Sequence, residues 1–162
     1  FKSLNDPLRN RKRHAFPVTV WCISKALGLL RTVGANSADK NEEKTLYRGL
    51  RDMNIPQNFL TIGGTEMAPM STTTDLAVAV QYARGASSML LRIKAPDFAS
   101  RGADLRFLSA FPAESEVLYP PLTHLRPDNK YKEIAPVKVK LGDAHNHYTF
   151  TIVDVEPTIN TS

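Results

Sequence analysis

Between Thr45 and Val155 the apolar residues come in short runs, each cut off by glycine, proline or a polar cluster. That punctuation constrains the fold more than any other feature. Residues 45–50, 66–71, 88–94, 103–108 and 116–119 each read as a strand, because the runs are short and bounded by turn formers. Two longer runs, 131–141 and 147–155, alternate. Val137, Val139 and Leu141 stand against Lys138 and Lys140, and Tyr148, Phe150 and Ile152 repeat the period. That alternation predicts strands with one covered face, and Gly142-Asp143 between them predicts an antiparallel hairpin.

Helical spacing occurs in two places. Val18, Trp21, Cys22, Leu29 and Leu30, widened by Ile23 and Leu27, predict a helix over 18–33 with a core-facing side. Pro17 suits its start and Gly34 its stop. Leu76, Ala79, Val80 and Ala83 predict a second helix over 75–84, capped by Thr72, Thr73 or Thr74 and ended by Gly85. Helix early, strands late and few β-α-β units make an α+β domain. No G-x-G-x-x-G or P-loop is present, so a doubly wound nucleotide fold is not expected.

The chain has 162 residues, enough for one domain with a sizeable core. Its 42% hydrophobic and 23% charged residues are ordinary globular values. Residues 1–16 read as a basic N-terminal extension or helix, with Arg9, Arg11, Lys12, Arg13 and His14 clustered in it. That run reads as a solvated face. The net charge of +5 favours an anionic ligand such as a dinucleotide. Nucleic acid is not expected as a partner, since no aromatics interleave with the basic residues. No membrane is expected either, since no apolar stretch approaches the roughly 20 residues that span a bilayer. The chain opens on Phe1, so it is expected to be cut from a longer protein whose targeting signal is not visible. Cys22 is alone, which excludes an internal disulfide and favours a reducing compartment, the cytoplasm or a host cytosol. It reads as a packing residue. A monomer is expected.

Three separate pieces fit one chemistry: Tyr47-Arg48-Gly49, Ser71-Thr72-Thr73 and Glu114-Ser115-Glu116. Taken singly, each has a plain structural explanation. Arg48 in an apolar strand could be a buried ion pair, the Ser/Thr cluster a helix cap, and the two acids solvated loop charge. Taken together, they supply what cleavage of the nicotinamide–ribose bond of NAD requires. An arginine can hold a pyrophosphate. A carboxylate can stabilise an oxocarbenium-like transition state, and a second can engage the incoming nucleophile. If Glu116 begins an extended strand, the i, i+2 spacing puts Glu114 and Glu116 on one side.

In this order the pieces resemble the Arg–Ser–Glu signature of the ADP-ribosyltransferase superfamily, in its toxin-like, arginine-specific mono-ADP-ribosyltransferase branch. The aromatic-Arg pair is Tyr47-Arg48. The Ser-Thr-Ser element is Ser71-Thr72-Thr73, differing by one methyl. The Glu-x-Glu block is Glu114-Ser115-Glu116, followed by Val117-Leu118-Tyr119-Pro120-Pro121. The resemblance spans roughly residues 17–155, including the early helix ending Leu29-Leu30-Arg31. It implies one catalytic domain over 1–162, with two short, mainly antiparallel β-sheets packed around an NAD cleft and flanked by helices.

The resemblance also implies roles. Arg48 would hold NAD phosphate and ribose, and the Gly49 backbone would meet the nicotinamide amide. Ser71 would orient Glu116, and Thr72 and Thr73 would line the NAD site. Glu116 would be the catalytic carboxylate. Glu114 would engage an acceptor arginine, and Phe111 would meet the target protein. NAD is the co-substrate and no metal is implied. The aromatic residue that stacks on nicotinamide in the family has no counterpart in residues 85–88. Transfer of ADP-ribose to arginine is the function implied. A NAD glycohydrolase and a non-catalytic NAD- or partner-binding domain are the alternatives.

Other clusters read as structural. His145 and His147 beside Asp143 give too few ligands for a metal. His124 reads as structural, and Trp21 and Tyr47 as core or pocket-wall aromatics.

Overall fold

The computed structural model describes residues 2–34, 42–53, 56, 58–85, 88–141 and 144–160, with backbone alone at 88 and 129–149. Two helices open the chain, α1 (Lys2–Arg9) and α2 (Pro17–Gly34). They are followed by β1 (Lys44–Arg51), the short α3 (Phe59–Ile62), β2 (Gly64–Glu66), β3 (Met70–Thr73) and α4 (Leu76–Ala83). The remainder is β4 (Ser88–Ala95), β5 (Ala103–Asp104), a 3-10 turn (Pro112–Glu114), β6 (Glu116–Tyr119), β7 (Thr123–Leu141) and β8 (Ala144–Thr158).

The strands run in the order β2-β7-β8-β4-β1-β3-β6-β5. All the pairings are antiparallel except β4 with β8. The expected two sheets are joined into this one order at a single pair, Tyr47↔Thr73, between β1 and β3. On one side of that joint lies the group β2-β7-β8-β4-β1, and on the other β3-β6-β5. The expected hairpin forms from Leu141↔Ala144 back to His124↔Thr158; its connection at 142–143 lies outside the described residues.

Strand β4 sits in the middle, and its apolar run is buried on both faces. Met89, Leu91 and Ile93 join Leu46, Met70, Tyr119, Val153 and Val155 in one core cluster. Leu90 joins Ile152 and Phe150 beneath Ala79, Val80 and Ala83 of α4 in a second. Each fully buried large aliphatic side chain contributes about 1.5–3 kcal/mol. Helix α4 can lie this close to β1 only because residue 49 is glycine. A Cβ there would stand 2.0 Å from the Ala79 carbonyl oxygen and 2.7 Å from the Ala83 nitrogen.

A charged group is buried at this core edge. Asp154 on β8 is 1% exposed and accepts from Arg92 Nε at 2.6 Å and Lys94 Nζ at 2.9 Å. Burial pushes its carboxyl up, but the bonds from Arg92 and Lys94 outweigh that and hold it below the usual carboxylate value. Its contribution to stability is therefore present above the unfolded value and lost as pH falls through the lowered folded one.

Several expectations are corrected. The apolar stripe of α2 does not form a core face: only Leu27 is buried, while Val18, Trp21, Leu29 and Val33 are 60–73% exposed. Cys22 is exposed too, so it is not a packing residue, and Trp21 is not a core aromatic. Periodicity states which side chains share a face, not whether anything covers it. The run 66–71 splits, because Glu66 ends β2 and β3 begins at Met70. The run 103–108 keeps only Ala103–Asp104, because the amides of Leu108 and Ser109 fold back onto the Leu105 carbonyl. The cap of α4 is Asp75, which accepts from the Ala77 amide at 2.7 Å, rather than a threonine. That helix ends at Ala83 with Arg84 as its C-cap, before Gly85. His124 does have a structural partner, the Thr65 hydroxyl at 3.1 Å. Tyr47 is half-buried against the second cluster.

Candidate active site

The joint between β1 and β3 brings the first two pieces together. Beyond Tyr47↔Thr73, Arg48 crosses to β3 and donates from Nη1 to the Ser71 carbonyl at 2.7 Å. Its other terminal nitrogen stands 3.8 Å from Glu66 Oε2. Glu66 also receives a fork from Arg9 of α1, Nε at 3.0 Å and Nη2 at 3.2 Å, and the Ala68 amide at 3.1 Å. Two arginines therefore share one carboxylate, leaving a surplus positive charge. Burial lowers the Arg48 pKa, Glu66 raises it and Arg9 lowers it; an arginine remains cationic through such shifts. The three charges line a cavity of about 360 Å³ whose other walls include Leu50, Met67 and Met70.

The second and third pieces meet as antiparallel strands. Ser71 lies across from Leu118, Thr72 across from Val117 and Thr73 across from Glu116. Alternation then places Ser71, Thr73, Glu116 and Leu118 on one face. The residue directly opposite Glu116 is thus Thr73, with Ser71 one pair further along. Ser71 is exposed, and its hydroxyl makes no hydrogen bond to Glu116 among the described residues. Thr72 turns inward: it is 3% exposed and its hydroxyl donates to the Val117 carbonyl at 2.6 Å. Its expected place in the NAD site is therefore replaced by a tie between strands. Thr73 donates to the Glu114 carbonyl at 2.6 Å and accepts from the Asp75 amide at 2.9 Å.

The two acids are not side by side on a strand. Glu114 ends the 3-10 turn and Glu116 starts β6, with Ser115 between them in the left-handed region at φ 48°. The strand-spacing argument for a shared side therefore does not apply. Tyr82, in the last turn of α4, reaches the first of them. Its hydroxyl donates to Glu114 Oε1 at 3.0 Å. Its pKa is raised by that bond first, then by burial and by the charges of Glu114 and Glu116. The Glu116 carboxylate itself makes no hydrogen bond among the described residues. Phe111 is 67% exposed at the start of the turn, near two other exposed apolar side chains, Phe107 and Leu108.

Sequence reasoning missed Glu66, Arg9 and Tyr82. Arg9 and Glu66 are 57 residues apart, with no local pattern to link them. Tyr82 was visible as the one aromatic on a small-residue helix, but only the fold carries it to Glu114. Gly49 is explained on packing grounds by α4, whatever else its backbone does. No group of three or more potential metal ligands occurs among the described residues; the His145 and His147 side chains lie outside them.

No protein-family model matches the chain, and no curated protein matches it in sequence. Solved structures do match. The ADP-ribosyltransferase HopU1 of Pseudomonas syringae aligns at a TM-score of 0.62 and 19% identity, over 95% of this chain and 64% of that one. Plx2a, an ADP-ribosyltransferase toxin from Paenibacillus larvae, aligns at 0.61 and 17%, over 95% and 79%. Exoenzyme S from Pseudomonas aeruginosa, solved with human 14-3-3 protein beta and carba-NAD, aligns at 0.57 and 15%, over 93% and 64%. The chain spans just under two thirds of the length of HopU1 and of exoenzyme S. These likenesses establish the ADP-ribosyltransferase fold.

Proposed function

We propose that this chain is an Arg–Ser–Glu mono-ADP-ribosyltransferase that moves ADP-ribose from NAD to an arginine side chain of a target protein. One observation carries the reading. Glu116 stands on β6 with a carboxylate that makes no hydrogen bond among the described residues, beside Ser71 and Thr73 of β3, and Arg48 is tied to β3 through the Ser71 carbonyl. The fold, shared with enzymes of which one holds an NAD analogue, supports NAD as the substrate.

The chemistry follows from the charges. The bond from ribose to nicotinamide breaks with both electrons going to the pyridinium nitrogen, so nicotinamide leaves neutral. The Glu116 carboxylate stabilises the positive charge developing on the ribose. A guanidine nitrogen then bonds to that carbon, and its proton passes to Glu114 or to water. The surplus charge at Arg48, Glu66 and Arg9 favours the pyrophosphate, and Arg48 presents the planar donors that suit it. Ser71 is exposed and free to reach the ribose. Phe111 offers an apolar contact to a target protein.

Incubation with NAD labelled in its ADP-ribose half and an arginine-rich acceptor protein tests this. The expected result is labelled protein whose bond yields slowly to neutral hydroxylamine, as an arginine linkage does. Rapid release would indicate a carboxylate ester. Label found only as free ADP-ribose would indicate water as the acceptor, a NAD glycohydrolase.

A further inference from the structure

Glu114 is held from three directions at the tip of an otherwise exposed loop. Its amide donates to the Phe111 carbonyl at 2.9 Å, and its carbonyl accepts from the buried Thr73 hydroxyl at 2.6 Å. Its side chain accepts from Tyr82 at 3.0 Å. The first two bonds fix only the backbone. A glutamate side chain so fixed would still sweep through its rotamers in solvent. The Tyr82 bond restricts that freedom, and it comes from a helix whose backbone is fixed. Helix α4 is fastened by Ala79, Val80 and Ala83 in the core and by the Asp75 cap. Tyr82 itself is 59% exposed, so its hydroxyl bond, not burial, decides where it sits.

Resting on the function proposed above, we infer that Tyr82 is a positioning residue for the acceptor: its hydroxyl holds the Glu114 carboxylate in the orientation that receives a guanidinium. The geometry leaves room for this. An ionised carboxylate offers about four lone-pair sites, and one phenol uses one of them. The remainder can take the two-pronged donor set of an arginine. Because the proton stays on Tyr82 well past neutral pH, the bond persists throughout the physiological range. The bond touches the acceptor side of the reaction and leaves Glu116 alone, so it should govern what receives ADP-ribose more than whether NAD is cleaved.

The test compares Tyr82→Phe with the unaltered protein in two assays: transfer to a small guanidine acceptor, and nicotinamide release in its absence. Removing a hydroxyl bonded to a charged group is expected to lower transfer about tenfold, mainly as a higher KM for the guanidine. Nicotinamide release into water should change by no more than about twofold. In a Glu114→Ala background, which removes the hydrogen-bond acceptor, the same change should have no further effect on transfer, because the hydroxyl acts through that carboxylate. The inference is overturned if transfer and release fall together, if transfer is unchanged, or if Tyr82→Phe still matters in the Glu114→Ala background. Absence of nicotinamide release from the unaltered protein would instead remove the proposed function, and this inference with it.

Discussion

At the Arg48 end of the site two arginines are held by one carboxylate, with a positive charge in surplus, whereas at the Glu116 end the carboxylate stands without a bond among the described residues. Arg48, Glu66 and Arg9 form a closed cluster, and Arg48 also joins two strands through the Ser71 carbonyl. Glu116 is placed only by its strand, across from Thr73. The difference separates two kinds of work. The cationic end is part of the folding of the joint between β1 and β3, so damage there should reach both stability and substrate binding. The acidic end is left open to whatever enters, so damage there should reach chemistry with the fold intact.

Arg48→Lys strains this contrast most. Lysine keeps the charge but cannot hold the Ser71 carbonyl and a phosphate with one planar group. The loss of charge-assisted bonds, about 2 kcal/mol, should lower kcat/KM for NAD roughly 30-fold, mostly through KM. A purely structural Arg48 would lower the thermal midpoint without that kinetic loss. Thr73→Val comes next. It strips two part-buried hydrogen bonds, to the Glu114 carbonyl and from the Asp75 amide. It should cost about 1–3 kcal/mol in denaturant unfolding and reduce transfer more than nicotinamide release. Arg9→Ala should do least. Its pairing with Glu66 is partly exposed, and such pairs are worth about 0–1 kcal/mol. A large rise in the KM for NAD in that variant would instead make Arg9 a ligand of the substrate.

Much of this architecture is legible in residue order. The strand runs, the two helices and the late hairpin announce themselves through spacing and punctuation, because each depends on neighbours a few residues away. Glu116 at the start of β6 and Arg48 on β1 fall where the motifs place them. What stays hidden depends on distant partners. The apolar stripe of α2 reads as core, yet Val18, Trp21, Leu29 and Val33 face outward. The less extended pattern of α4 is buried, because Gly49 lets it approach β1. Thr72 and Thr73 look alike in sequence, but one ties strands in the core and the other clamps Glu114. The left-handed Ser115 that separates the two acids carries no sequence mark.

The central claim is that Glu116 stabilises the cleavage of NAD. Nicotinamide release by the unaltered protein and by Glu116→Gln, which keeps the side chain's size and removes its charge, tests it most directly. The account predicts a loss of about 10²–10³-fold in rate, with an unchanged thermal midpoint. Release by Glu116→Gln at the rate of the unaltered protein would contradict it.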